Sequence, residues 1–260
     1  MADHANPSPD PDLHQVGRHV LHRAVIIWRV RRHAPVAPWS AGLEVAAPFD
    51  RIIVTAATDH ISPAWISQLA PDGVIVVDLR GSLAGSLLRL TAIDPEVAEG
   101  TFLNLPGAFM PMRTRLDSPH RNGESWDQVF DHRNPQHGTT PVNPGLVADN
   151  RSLRFMTQLH LAGRHLRGFL RPLSGAELSG RCTDGSWFTA NLQPDDDGLF
   201  PVAQSGPQRL WDTVESCYAA WRRLGEPNIE QFGVTAYHDT ALQYAWFDHP
   251  DSHYRWPLPL

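Results

Sequence analysis

Between Pro48 and Leu79 the chain reads PFDRIIVTAATDHISPAWISQLAPDGVIVVDL, and few folds accommodate that order of segments. RIIVTAA is an apolar, β-branched run closed by polar residues, which predicts a buried strand. Ser62-Pro63 predicts the start of a helix: proline is preset for the first turn, and the serine hydroxyl can take an orphan amide. That helix turns Ile66 and Leu69 inward and stops before the turn tripeptide Pro71-Asp72-Gly73. VIVVDL is then a second strand, continuously apolar as a strand covered on both faces would be. Strand, helix, strand at this spacing is a βαβ unit, and it points to an α/β sheet.

The flanks are less regular. Residues 1–12 are acidic and Pro-rich and predict disorder, while Leu13–Ala24 places Leu13, Val16, Val20 and Leu21 at helical spacing. After the βαβ unit, SLLRLTAI and EGTFLN predict two strands and AFMPMR a short last one. Residues 114–150 are polar, aperiodic and rich in Pro, Asn and His, and they predict a linker. Farther on, GSWFTANL and GLFPVAQSG alternate as strands. RLWDTVESCYAAWRRLG forms a helix with Leu210, Trp211, Val214, Tyr218 and Trp221 on one face and Gly225 as its stop. FGVTAY and YAWFDHP predict a closing hairpin.

Composition excludes several function classes. A net charge of −6 gives a nucleic-acid partner no general electrostatic support. All 22 basic residues are arginine, which reflects compositional bias and is no evidence for a phosphate site. Cys182 and Cys217 cannot build a disulfide framework, which favours a reducing, cytoplasmic setting. No basic segment leads into an apolar run at the start, and no apolar run is long enough to span a bilayer, so neither a signal peptide nor a membrane partner is expected.

The segments PFDRIIVTAA (Pro48–Ala57), ISPAWISQLAPDGVIVVDL (Ile61–Leu79), LLRLT (Leu87–Thr91) and AFMPMR (Ala108–Arg113) together resemble the second half of protein-L-isoaspartate O-methyltransferases. The stretch from Gln204 to Ala236, with AWFDHPDSHYRWPLP near the end, resembles the additional C-terminal domain of isoaspartyl-type methyltransferases that tailor ribosomal peptides. The resemblance implies S-adenosylmethionine as cofactor, a Rossmann-like sheet, and a peptide or protein substrate methylated on an aspartyl or isoaspartyl carboxylate. It also implies sites. Thr55, Ala56 and Ala57 fall where the family places a cofactor-side loop at the carboxyl end of its fourth strand. Thr58 and His60 extend that loop toward substrate, and Phe109, Met110 and Pro111 fall where a peptide groove is lined.

The chain also departs from the family. No GxGxG precedes Asp50. By the register of Asp10–Ala24, Ser8 stands at the place of the ribose-binding acid, and Pro38-Trp39 at the adenine-side pair. Serine carries no charge and proline donates no amide, so the cofactor half reads as truncated or degenerate. Methyl transfer from a sulfonium to an ionised carboxylate relies on proximity and in-line orientation, so no catalytic acid or base is named. Histidines are plentiful, but no Cys or carboxylate completes a four-ligand set, so no metal is expected. Asp195-Asp196-Asp197-Gly198 lacks the later ligands of a calcium loop and predicts a hairpin turn.

The resulting expectation is α/β: an incomplete Rossmann-like methyltransferase sheet over 8–115, a linker over 116–150, and a smaller α+β substrate-recognition domain over 151–260. A sheet without its first strand would expose an edge. The alternative to a carboxyl methyltransferase is a non-catalytic peptide-binding module or an inactive remnant.

Overall fold

The computed structural model describes residues 24–27, 44, 47–112, 135–161, 166–170, 175–182, 184–239 and 242–258. The disorder expected over 1–12, the helix expected over 13–24, Ser8 and Pro38-Trp39 lie outside them or almost so.

The fold is mixed α/β, with sheet dominant. Strands β1 (Ala24–Ile27), β2 (Phe49–Thr58) and β3 (Leu69–Arg80) run parallel, and α1 (Pro63–Ser67) crosses from β2 to β3. The βαβ unit is therefore present, but its helix is shorter than the sequence suggests. Ser62 caps it in extended conformation without a side-chain cap bond, and Leu69 already belongs to β3. Trp65 and Ile66 are the residues that α1 buries. Pro71-Asp72-Gly73 lies within β3, where Asp72 takes φ 58° and the pairing with β2 skips between Phe49 and Arg51. The edge expected to be open is paired: Ala24–Ile27 align with Arg51–Val54.

Beyond β3 the sheet turns antiparallel through β4 (Gly85–Asp94) and β5 (Val97–Phe102). In β4, Leu88, Leu90 and Ala92 are buried while Arg89 and Ile93 are exposed, the alternation of a strand with one covered face.

A second, antiparallel sheet runs in the order β6 (Gln136–Thr140), β10 (Phe200–Ser205), β9 (Trp187–Asn191), β8 (Glu177–Cys182), β7 (Leu166–Leu170). The segment expected as linker thus carries β6 and α2 (Pro144–Asp149). Asn143 caps α2 through its side chain, and Asn150 caps the following α3 (Arg151–His160) by accepting from Leu153 N at 2.9 Å. Asp195 closes the β9–β10 hairpin, accepting from the amides of Asp197 and Leu199 at 3.1 and 2.9 Å.

The first sheet does not stop near residue 115. β11 (Phe232–Tyr237) pairs antiparallel with β5, then β12 (Gln243–Phe247) and β13 (Arg255–Pro257) follow, giving eight strands in the order β1-β2-β3-β4-β5-β11-β12-β13. The expected closing hairpin exists, but it extends the first sheet. One continuous apolar core links both regions. Phe155 of α3 sits at its centre, edge-on to Phe102 of β5 at 4.8 Å and to Phe232 of β11 at 5.5 Å.

Helix α4 (Leu210–Arg223) buries Leu210, Trp211, Val214, Cys217 and Trp221 and ends before Gly225, as the periodicity requires. Its first turn is held from outside. Gln204 Oε1 accepts from Trp211 N at 3.0 Å, and Gln204 Nε2 donates to Asp212 Oδ1 at 2.6 Å. Arg209 Nε donates to the other oxygen of Asp212 at 2.8 Å. Burial alone would raise the Asp212 pKa, but the hydrogen bonds from Arg209 and Gln204, with the Arg209 charge, outweigh it and hold it below the usual carboxylate value. A carboxylate depressed in the folded state contributes stability above its unfolded pKa of about 3.9, and that contribution disappears as pH falls through the lower folded value. Asp212→Asn is therefore expected to destabilise the chain at neutral pH and to flatten the acid limb of its stability profile. Urea midpoints measured from pH 7 down to pH 3 check this, and parallel profiles for the two proteins would refute it.

Candidate functional site

Open α/β sheets bind ligands at the carboxyl ends of their parallel strands. Here those ends are Thr55–Thr58 of β2 and Asp78–Arg80 of β3. The register jumps from Val54↔Val77 to Ala57↔Asp78, so Thr55 and Ala56 form a two-residue bulge. Both are half-buried. Bulges of this kind re-aim the chain beside functional sites.

Ala57 is buried, and its backbone is already paired. Its amide donates to Met110 O at 3.0 Å, and its carbonyl accepts from Met112 N at 2.7 Å. This bridge brings Pro111 directly beside Ala57, parallel to it. The sequence-predicted residues Ala57, Met110 and Pro111 therefore meet, although AFMPMR forms a single bridge and not a strand. Thr58 Oγ1 donates to His60 O at 3.0 Å, folding the loop into a tight turn. His60 Nδ1 lies 2.6 Å from Asp59 Oδ1, with both side chains partly exposed. Behind the loop, Gln243 of β12 clamps Ile61, its Oε1 accepting from Ile61 N at 2.7 Å and its Nε2 donating to Ile61 O at 2.5 Å. Phe109 and Met110 leave 38% and 72% of their surface exposed, which makes the segment from Phe109 to Pro111 an apolar outer strap over the strand ends.

One residue of this site escaped sequence reasoning. Asp78 interrupts the apolar run VIVVDL and is fully buried. Its Oδ2 accepts from Arg80 Nη2 at 2.9 Å and from Phe109 N at 3.3 Å. Arg80 Nη2 also donates to Gly107 O. Asp78 thus ties the strap to β3 as Ala57 ties it to β2. The signal was present: a carboxylate inside an otherwise apolar run is costly to bury and demands a partner.

Residues 33–97 match the model of the family described as protein-L-isoaspartate(D-aspartate) O-methyltransferase (PCMT). Over that segment the chain is protein-L-isoaspartate O-methyltransferase-like in sequence. The protein-L-isoaspartate O-methyltransferase of Paramagnetospirillum magneticum is 42% identical over 78 residues, which are 29% of this chain and 36% of that protein. Protein-L-isoaspartate O-methyltransferase 1 of Nitrosospira multiformis is 39% identical over 72 residues, covering 28% of this chain and 30% of that protein. The chain therefore spans about a third of the length of these curated relatives. A solved structure titled protein-L-isoaspartate O-methyltransferase aligns over 81% of this chain and 57% of its own, at 15% identity and a TM-score of 0.35. The matched segment contains β2 to the first residue of β5, and so includes both Thr55–Thr58 and Asp78.

The described residues fit S-adenosylmethionine poorly. The backbone groups of Ala57, which the resemblance offers to the cofactor, are bonded to the strap. The carboxylate at the end of β3, Asp78, has one oxygen bound by Arg80 and Phe109 and lies wholly beneath the strap.

Proposed function

We propose that this chain carries the substrate side of an isoaspartyl-type carboxyl O-methyltransferase, acting on an aspartyl or isoaspartyl carboxylate of a peptide or protein. The observation that supports it is the joining of the family-matched strand end at Ala57 to Met110-Pro111 by a backbone bridge. The loop Thr55–His60 and the strap Phe109–Pro111 are then two walls of one peptide-binding edge. Thr58 and His60 face the polar end of the substrate on this reading, while Phe109, Met110 and Pro111 offer apolar contact. Thr55, Ala56 and Ala57 mark the side nearest the methyl donor. No step through the donor is derived, because the backbone groups of Ala57 and one oxygen of Asp78 are already engaged.

A second reading is favoured by that same poor fit: a module that holds a peptide without modifying it. The full chain, an isoaspartyl hexapeptide and methyl-labelled S-adenosylmethionine separate the two. The first reading expects base-labile methyl ester on the peptide at millimolar cofactor. The second expects saturable peptide binding with no ester at any cofactor concentration. Neither ester nor peptide binding would overturn both.

A further inference from the structure

The Asp78–Arg80 pair satisfies only part of its own hydrogen-bonding capacity. Asp78 Oδ1 is buried with no partner among the described residues, and so is Arg80 Nε. Both atoms belong to the two groups that meet at the Oδ2–Nη2 contact of 2.9 Å, so this ion pair keeps one unused acceptor and one unused donor. A buried carboxylate oxygen left without a donor is costly, and a water, an ion or a functional contact is what commonly satisfies it.

We infer that Asp78 and Arg80 form a binding site for the main chain of one extended residue of a substrate. Asp78 Oδ1 accepts the substrate N–H, and Arg80 Nε donates to the adjoining C=O. A residue in extended conformation turns its own N–H and C=O to one edge of the chain, one donor and one acceptor, which matches this pair. Access runs along Arg80, whose side chain keeps 34% of its surface, and under the Gly107–Phe109 segment. Two contacts hold that segment at this point: Arg80 donates to Gly107 O, and the Phe109 amide reaches Asp78 at a long 3.3 Å. Gly107 lets it lie there, since a Cβ at that position would meet the Asp78 carboxylate carbon at 2.0 Å. Lifting it uncovers Oδ1 and leaves the Ala57 bridge in place.

The assignment rests on the peptide-substrate reading above. Both contacts are to main chain, however, so it does not require an isoaspartyl linkage. Asp78→Asn is an informative variant. Arg80 Nη2 and Phe109 N are both donors, so the Asn oxygen must occupy the Oδ2 position, and an NH2 donor replaces the acceptor at Oδ1. The strap stays anchored while the substrate N–H is rejected.

Fluorescein-labelled hexapeptides, one with a central isoaspartyl and one with a central aspartyl residue, are titrated with the full chain by anisotropy. Each peptide is also made with its amides N-methylated one at a time. The expected result is that N-methylation at one position weakens binding to the wild-type chain by about tenfold or more, one hydrogen bond in a desolvated site. Asp78→Asn weakens the parent peptide similarly, and the same N-methyl group then has no further effect. Equal binding of both parent peptides with one sensitive amide supports the site while removing the isoaspartyl selectivity of the proposed function. Unchanged affinity for Asp78→Asn and for every N-methylated peptide means that Oδ1 holds only a trapped water, and overturns the assignment. Failure of the wild-type chain to bind either peptide overturns it too. If Asp78→Asn does not fold, the N-methyl series on the wild-type chain decides alone.

Discussion

Titration of the 260-residue chain with S-adenosylmethionine in a calorimeter is expected to give no saturable binding below about millimolar concentration. The family site depends on a carboxylate for the ribose hydroxyls and on backbone donors near the ligand. By the sequence register, Ser8 replaces the first and Pro38-Trp39 stand where the adenine-side contacts belong. The backbone of Ala57 adds nothing, because it is bonded to Met110 and Met112. Contacts of this type contribute about 1.5–3 kcal/mol each, so losing two or three weakens a micromolar site by roughly three orders of magnitude. Tight saturable binding would show that the register assigned to residues 8–40 is mistaken and that this region builds a cofactor site of its own.

Phe155→Ala is expected to cost about 3–5 kcal/mol, the range for a buried aromatic truncated in a close-packed core. Phe155 has no exposed surface and touches Phe102 and Phe232 at once, so the cavity opens at the junction of β5, β11 and α3. The consequence should reach both ends of the chain. Urea unfolding followed by tryptophan fluorescence and by far-ultraviolet circular dichroism should show one transition moved to lower denaturant. Two separated transitions, with only one of them moved, would mean that the family-matched strands and the C-terminal region unfold independently despite their shared sheet.

The parallel strands were legible because the pattern that specifies them is local. Ile52, Val54, Ile75, Val77 and Leu79 are all buried, and their runs are bounded by turn residues that a sequence displays directly. The attachment of β11–β13 to β5 was not legible, since it joins residues such as Glu99 and Thr235, whose side chains bond at 2.7 Å across a separation of 136 positions. A hint lay in Gly233, where a Cβ would meet the Trp246 ring at 2.2 Å and a neighbouring carbonyl, that of Gly100, at 2.6 Å. Glycine in a strand often marks such a close approach. Likewise β6 and α2 hid in a polar stretch. QHGTT is exposed at four of its five positions, so an edge strand of this kind shows no apolar period. Asn143 and Asn150 were readable as helix caps but were taken for loop residues. At the site, Ala57 and Phe109–Pro111 were named from the family pattern and the backbone bridge brings them together, while Asp78 required knowing that its run passes beneath the strap.

The pairing of β5 with β11 also has a temporal meaning. Chains are synthesised from the amino end, and a domain whose decisive contacts are distant in sequence folds slowly. Here the growing chain can assemble β2 to β5 long before Phe232–Tyr237 leaves the ribosome. Throughout that interval β5 presents an unpaired row of amides and carbonyls, the kind of surface on which nascent chains stick to one another. Strands β11–β13, once made, cover the edge of the first sheet that β5 would otherwise leave open.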